Sequence, residues 1–176
     1  MPLTRPKKIL AGNLSGAVPS ANLSLASSDM PAGTILQRVY DQPTTNGNTI
    51  STTSYTAIGM DLSITPKRDG SHFLIEAWWL TYDRGGSGTM KVESAVFRGS
   101  TNISGNLTHT PYDGQGHSGR MPYGGIAHLD TGASAVAGTA ITYSMKYKKN
   151  DTGEQTYDIA HNDKKSAWIM VTEIAT

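Results

Sequence analysis

The chain has 176 residues, 16% of them charged and 37% hydrophobic, with a formal net charge of +1 and no cysteine. That length fits one domain with a tail rather than two cores. The near-zero charge argues against nucleic-acid binding, which needs a clustered basic excess, and no apolar run approaches the roughly 18 residues of a bilayer span.

Residues 1–33 show little periodicity and many breakers: Pro2, Pro6, Gly12, Gly16, Pro19, Pro31 and Gly33. The apolar stretch Ile9-Leu10-Ala11 is too short for a signal-peptide core, so synthesis in the cytoplasm is expected. Leu10, Leu14, Leu23 and Leu25 are scattered in a polar background, and such a segment alone buries too little to offset its ordering entropy. A floppy leader is the plain reading. The functional reading is an arm that orders on a partner, docking those leucines while Arg5, Lys7 and Lys8 meet acidic groups.

A β-body is expected over residues 34–176. Thr34–Tyr40 reads as the first strand, and Asn46-Gly47 then marks a tight turn. Ser54–Ile58 and Asp61–Thr65 read as two short strands, the second stopped by Pro66. Phe73–Leu80 is the longest apolar run and predicts a central strand buried on both faces for part of its length. Thr89–Arg98 alternates at first, with Met90 and Val92 opposite Lys91 and Glu93. Residues 108–125 read as a long loop, and strands are expected around 125–130, 139–148, 155–161 and 167–174. Eight or nine short strands without a helix predict an all-β fold, a single β-sandwich or jelly-roll-like domain behind an extended N-terminal arm. The final strand, Trp168–Ile174, is expected to close a sheet.

Little in the chain points to catalysis. No two of His72, His109, His117, His128 and His161 have the i, i+4 spacing of a helical zinc site. His109, Asp113 and His117 share one loop, but a Gly-rich loop does not preorganise metal ligands, so solvated side chains are the better reading. The Gly85-Gly86-Ser87-Gly88 loop lacks the Lys-Ser/Thr and the following helix of a phosphate loop. Glu76, Glu93 and Asp130 stand singly on strands. No enzyme activity, cofactor or metal is expected. Five Asn-x-Ser/Thr triplets, at Asn13, Asn22, Asn102, Asn106 and Asn150, read as chance in such a composition, since small secreted domains usually carry disulfides.

Two features suggest contact with partners. His109, Tyr112, Asp113, His117, Arg120 and Tyr123 put aromatic and hydrogen-bonding groups on a glycine-permitted backbone, a candidate recognition loop for surface glycan. A merely solvated loop is the bland alternative. Trp78 and Trp79 are adjacent on a strand, so they face opposite sides of the sheet. An outward tryptophan is expected to be covered by a second subunit, with double-sided core packing equally open.

The order of several motifs carries a resemblance. Gly33-Thr34-Ile35-Leu36-Gln37, Ser51-Thr52-Thr53-Ser54-Tyr55-Thr56 and Leu62-Ser63-Ile64-Thr65-Pro66 come first. Val96 to Ile103 follows, then His128-Leu129-Asp130-Thr131 ahead of Thr142-Tyr143, and finally Met170-Val171-Thr172-Glu173-Ile174. Together they resemble a small β-domain of bacteriophage tail-fibre and virion structural proteins, of the kind found in phages of aquatic hosts, over residues 33–174. Pro2-Leu3-Thr4-Arg5-Pro6-Lys7 is similar to the leader of such proteins. The Trp78-Trp79 pair and the 108–125 loop depart from the pattern.

The resemblance implies a homotrimeric virion surface protein whose residues 1–33 attach it to other virion proteins of the tail or capsid. A short tail fibre or knob meeting a host glycan is the leading expectation, and a capsid decoration or head-fibre protein is the alternative. A free carbohydrate-binding module is the third.

Overall fold

The computed structural model of the chain describes residues 26–43, 48–83, 90–112, 123–150, 157–159 and 167–176. These residues form a β-sandwich of eleven strands, and every pairing between them is antiparallel. The strands are β1 (Ile35–Asp41), β2 (Asn48–Ile50), β3 (Thr56–Ile64), β4 (His72–Asp83), β5 (Met90–Arg98) and β6 (Thr101–Asn102). They continue with β7 (Leu107–Tyr112), β8 (Tyr123–Asp130), β9 (Ile141–Lys149), β10 (Tyr157–Ile159) and β11 (Trp168–Ile174).

One sheet runs β1-β11-β4-β10-β2, with β8 also paired to β4. The other runs β3-β9-β5-β6, with β7 also paired to β5. Period-two alternation sets the core between them. On β3 it turns Ile58, Met60, Leu62 and Ile64 inward, and on β4 it buries Phe73, Ile75, Ala77 and Trp79. Val92 and Val96 of β5, Tyr143, Met145 and Tyr147 of β9, and Ile169 and Val171 of β11 complete the cluster. Burial of each large side chain contributes about 1.5–3 kcal/mol, so these interdigitated rows are the main stabilising element.

The expected central strand is β4, which pairs with both β11 and β8. Two expectations need correction. Ser54–Ile58 and Asp61–Thr65 are one strand, β3, broken in register between Ala57 and Asp61, where Gly59 adopts φ 76°. Only a glycine takes that conformation readily, so the bulge looks like a gap between strands when read along the chain. The loop expected over 108–125 is also shorter, because its flanks are β7 and β8. Pro111 is tolerated in β7 because, among the described strands, β7 pairs with β5 alone and lies at an edge.

Two buried carboxylates fasten the sandwich near the start of β4. Glu173 is fully buried and accepts hydrogen bonds from Gln37 Nε2 (2.6 Å), the Lys67 N–H (2.9 Å), the Arg68 N–H (3.2 Å) and Ser71 Oγ (2.8 Å). It thereby ties β1 and the β3–β4 turn to β11. Asp130 accepts from Arg98 Nη1 at 2.8 and 2.7 Å, from Tyr143 Oη at 2.9 Å and from the Gly132 N–H at 3.0 Å. Asp130 belongs to one sheet, whereas Arg98 and Tyr143 belong to the other, so this cluster bolts the layers together. Of the expected arm, residues 26–33 rest on this same region. Arg68 Nη1 donates to the Met30 carbonyl (2.9 Å), and the Gly33 N–H donates to the Ala175 carbonyl (2.8 Å).

Candidate functional site

The two sheets present very different outer faces. On the β3-β9-β5 sheet the outward residues include Asp61, Ser63, Ser144, Lys146, Lys148 and Glu93. Lys148 Nζ stands 2.8 Å from Glu93 Oε2, an interaction of charge rather than an aligned hydrogen bond. Tyr55 caps this face, packing edge-on against Phe97 at 5.2 Å between centroids and donating its hydroxyl to Asn106 Oδ1 (2.9 Å). Lys146 and Lys148 lie over the Phe97 and Tyr55 rings at 4.4 and 4.9 Å. Burial, and then the nearby Glu93 carboxylate, pushes the Tyr55 hydroxyl up to about 12. These charges are paired or solvated, and the face suits water.

The outer face of β1-β11-β4-β8 is mostly apolar. Register places Trp168, Trp78 and Gly125 in one row across three strands. The next row runs Tyr40, Met170, Glu76 and Ala127. A third runs Arg38, Thr172, Leu74 and Leu129, and a fourth joins Ile35, Ile174 and His72. Ile35, Tyr40, Trp78 and Leu129 keep 55%, 54%, 41% and 49% of their surface exposed, far more than scattered single residues need to explain. The Tyr40 and Trp168 rings meet diagonally at 6.3 Å between centroids. The Trp78 ring lies over Gly125, where an added Cβ would sit 3.3 Å from Cε3. The polar exceptions are few: Arg38 donates from Nε to Thr172 Oγ1 (3.1 Å), and Glu76 has no ion pair with any other described residue.

The tryptophans split as the strand period requires. Trp79 is 1% exposed, packed edge-on against Tyr147 at 5.3 Å, and Trp78 is the outward member. The strong local signal was therefore the pair itself. Sequence reasoning missed Tyr40, Met170, Trp168 and Leu129 as companions of Trp78, because only cross-strand register brings them together.

The candidate recognition residues are not gathered into a described site. His109 and Tyr112 lie on β7 opposite Val92 and Met90, and Tyr123 opens β8 opposite Leu80. Asp113, His117 and Arg120 lie outside the described residues, as do the arm residues Arg5, Lys7, Lys8, Leu10, Leu14, Leu23 and Leu25. Among the described residues no group of three or more His, Asp or Glu side chains could hold a metal ion. The buried carboxylates Glu173 and Asp130 spend their lone pairs on internal donors. Among the described residues no helix is long and apolar enough to cross a membrane.

No protein-family model matches the chain, and no curated protein matches it. Among solved structures, it is similar to a chain in the structure of infectious bursal disease virus Gx strain, at 15% identity and a TM-score of 0.36. That similarity covers 81% of this chain and 32% of the other, so the chain spans about a third of that protein's length.

Proposed function

We propose that this chain is a non-enzymatic structural protein of the bacteriophage virion surface, a homotrimer held to the particle by residues 1–33. As a short tail fibre or knob, its body meets the host surface, and the 113–122 connection with its flanking Tyr112 and Tyr123 touches glycan. The observation that carries the reading is the contrast between the two outer faces. The body spends its buried polar groups on fastening strands, and among the described residues nothing covers one broad apolar face, Tyr40 through Leu129. A rigid body with one sticky face and a polar opposite face suits assembly and display. The resemblance of residues 33–174 to virion β-domains supplies the setting.

A capsid decoration or head-fibre protein is the second reading, with the polar outer face of β3-β9-β5 turned to solvent on the shell. Gold-labelled antibody on intact particles separates the two. Label at the tail supports the fibre, and label on the shell supports decoration. Particles that carry none of the protein would overturn both and leave a free glycan-binding module. Deleting residues 1–30 is expected to abolish attachment while leaving a folded body.

A further inference from the structure

Because the outer face of β1-β11-β4-β8 is apolar, continuous and crossed by one cation and one anion, we infer that it is where copies of this chain pack against one another. This assignment rests on the reading of the protein as a self-assembling structural body, and it names the surface that reading needs.

The size is right. Four strands at a spacing of about 4.8 Å, each offering about seven residues at 3.3 Å rise, make a face of about 450 Å² in plan. With side-chain relief, covering it on two copies removes on the order of 1,200 Å² of accessible surface, the lower edge of stable interfaces. The chemistry is right as well. Trp78, Tyr40 and Trp168 concentrate at one end of the face, and large aromatic groups dominate interface energetics.

The two charges supply orientation. Arg38 sits on β1, on one flank of the face. Glu76 sits on β4, next to β8 and the opposite flank. Two strand spacings and one further row put their Cα atoms on the order of 12 Å apart within a copy, and the two form no ion pair there. Among the described residues Arg38 donates its Nε–H to Thr172 and forms no ion pair. A carboxylate amid Met170, Ala127 and Trp78 is costly to cover unless a cation arrives with the cover. When the β1 flank of one copy meets the β4–β8 flank of the next, each copy's Arg38 reaches its neighbour's Glu76. A cation on one flank and an anion on the other makes the face complementary to the same face of a second copy. A basic peptide would also answer Glu76, whereas an apolar stretch of another protein would leave it buried and unpaired. Neither would account for the exposed cation on the same face.

The test is sedimentation equilibrium on the full chain, with circular dichroism to confirm folding. Wild type and Val136→Glu, a substitution at a 56% exposed residue outside these strands, are expected to form the same oligomer. Leu129→Glu, at an exposed edge-strand position, is expected to weaken association about a hundredfold or more. Arg38→Glu and Glu76→Arg are each expected to weaken it, and the double variant to restore it. A monomeric wild type, or Leu129→Glu associating like wild type, would overturn the assignment. A double variant no stronger than the single ones would overturn the Arg38–Glu76 pairing and this placement of copies. Particle labelling keeps this apart from the broader reading. A monomer found on virions defeats the interface alone, and an oligomer absent from virions defeats the virion role alone.

Discussion

The Trp79 indole occupies the space that a side chain on Gly124 would need: a Cβ built there would stand 2.3 Å from Trp79 Cε2. The β8 backbone is thus pressed against the largest side chain of the core, one strand away on β4. Gly124→Ala must displace an indole already held by Tyr147. It is expected to cost about 1–3 kcal/mol, the usual range for overpacking. The neighbouring Gly125→Ala meets the outward Trp78 at 3.3 Å and, with solvent to move into, is expected to cost less. Urea unfolding of the two variants checks the order; equal losses would contradict it.

Glu173 offers a second test, because its donors are fixed backbone and short side chains. Glu173→Gln turns an amide nitrogen toward N–H groups that need an acceptor. A loss of about 2–4 kcal/mol is expected, combining a missing charge-assisted bond with an unsatisfied buried donor. Gln37→Ala, which removes only one donor, is expected to cost about 1 kcal/mol. Denaturant titration at neutral pH distinguishes the two.

Arg98 and Asp130 join the layers, with Asp130 only 4% exposed. Arg98→Ala leaves that carboxylate buried with neutral donors alone and is expected to destabilise by about 3–5 kcal/mol. Exchanging both residues for apolar ones of similar size, Arg98→Met with Asp130→Leu, is expected to recover part of the loss. A double-mutant cycle on thermal unfolding measures it, and simple additivity would show the pair to be inert.

Alkaline pH should be felt through tyrosines. Burial, reinforced by the hydrogen bond to Asp130, holds the Tyr143 hydroxyl well above its ordinary value of 10, and burial alone does so for Tyr147. Tyr55 is raised to about 12. These groups ionise more readily in the unfolded chain. Their contribution is therefore fully present below pH 10, the unfolded value, and is lost as pH rises through the folded values. Stability is expected to fall above pH 10, with tyrosinate absorbance from Tyr143 and Tyr147 appearing only with unfolding. Tyr143→Phe should flatten the fall and cost about 1 kcal/mol at neutral pH through the lost bond to Asp130.

Much of the fold was legible because alternation is a local property. The patterns around β1, β4, β5, β9 and β11 each declare a strand within a few residues. What alternation hides is pairing. β2 and β6 are too short for a period to show, and β7 carries Pro111, which only its edge position excuses. In β11 both faces are apolar: Ile169 and Val171 point in, while Trp168, Met170 and Ile174 point out. The run is therefore silent about which side is core. Trp78 was conspicuous beside Trp79, yet its neighbours Tyr40 and Leu129 come from strands about forty to fifty residues away along the chain. Glu173 gave no local hint either, since its donors at Lys67 and Gln37 are 106 and 136 residues away.

The position of β11 between β1 and β4 also governs when the protein can fold. Among the described strands β1 pairs with β11 alone, so Ile35–Asp41 must wait for residues 168–174 before its backbone finds a partner. Pairing over such separations carries a large loop-closure entropy and slows folding. During synthesis, a first strand with two open edges leaves the ribosome long before its mate exists. The nascent chain is then open to mispairing with its neighbours on the same message until β11 is made.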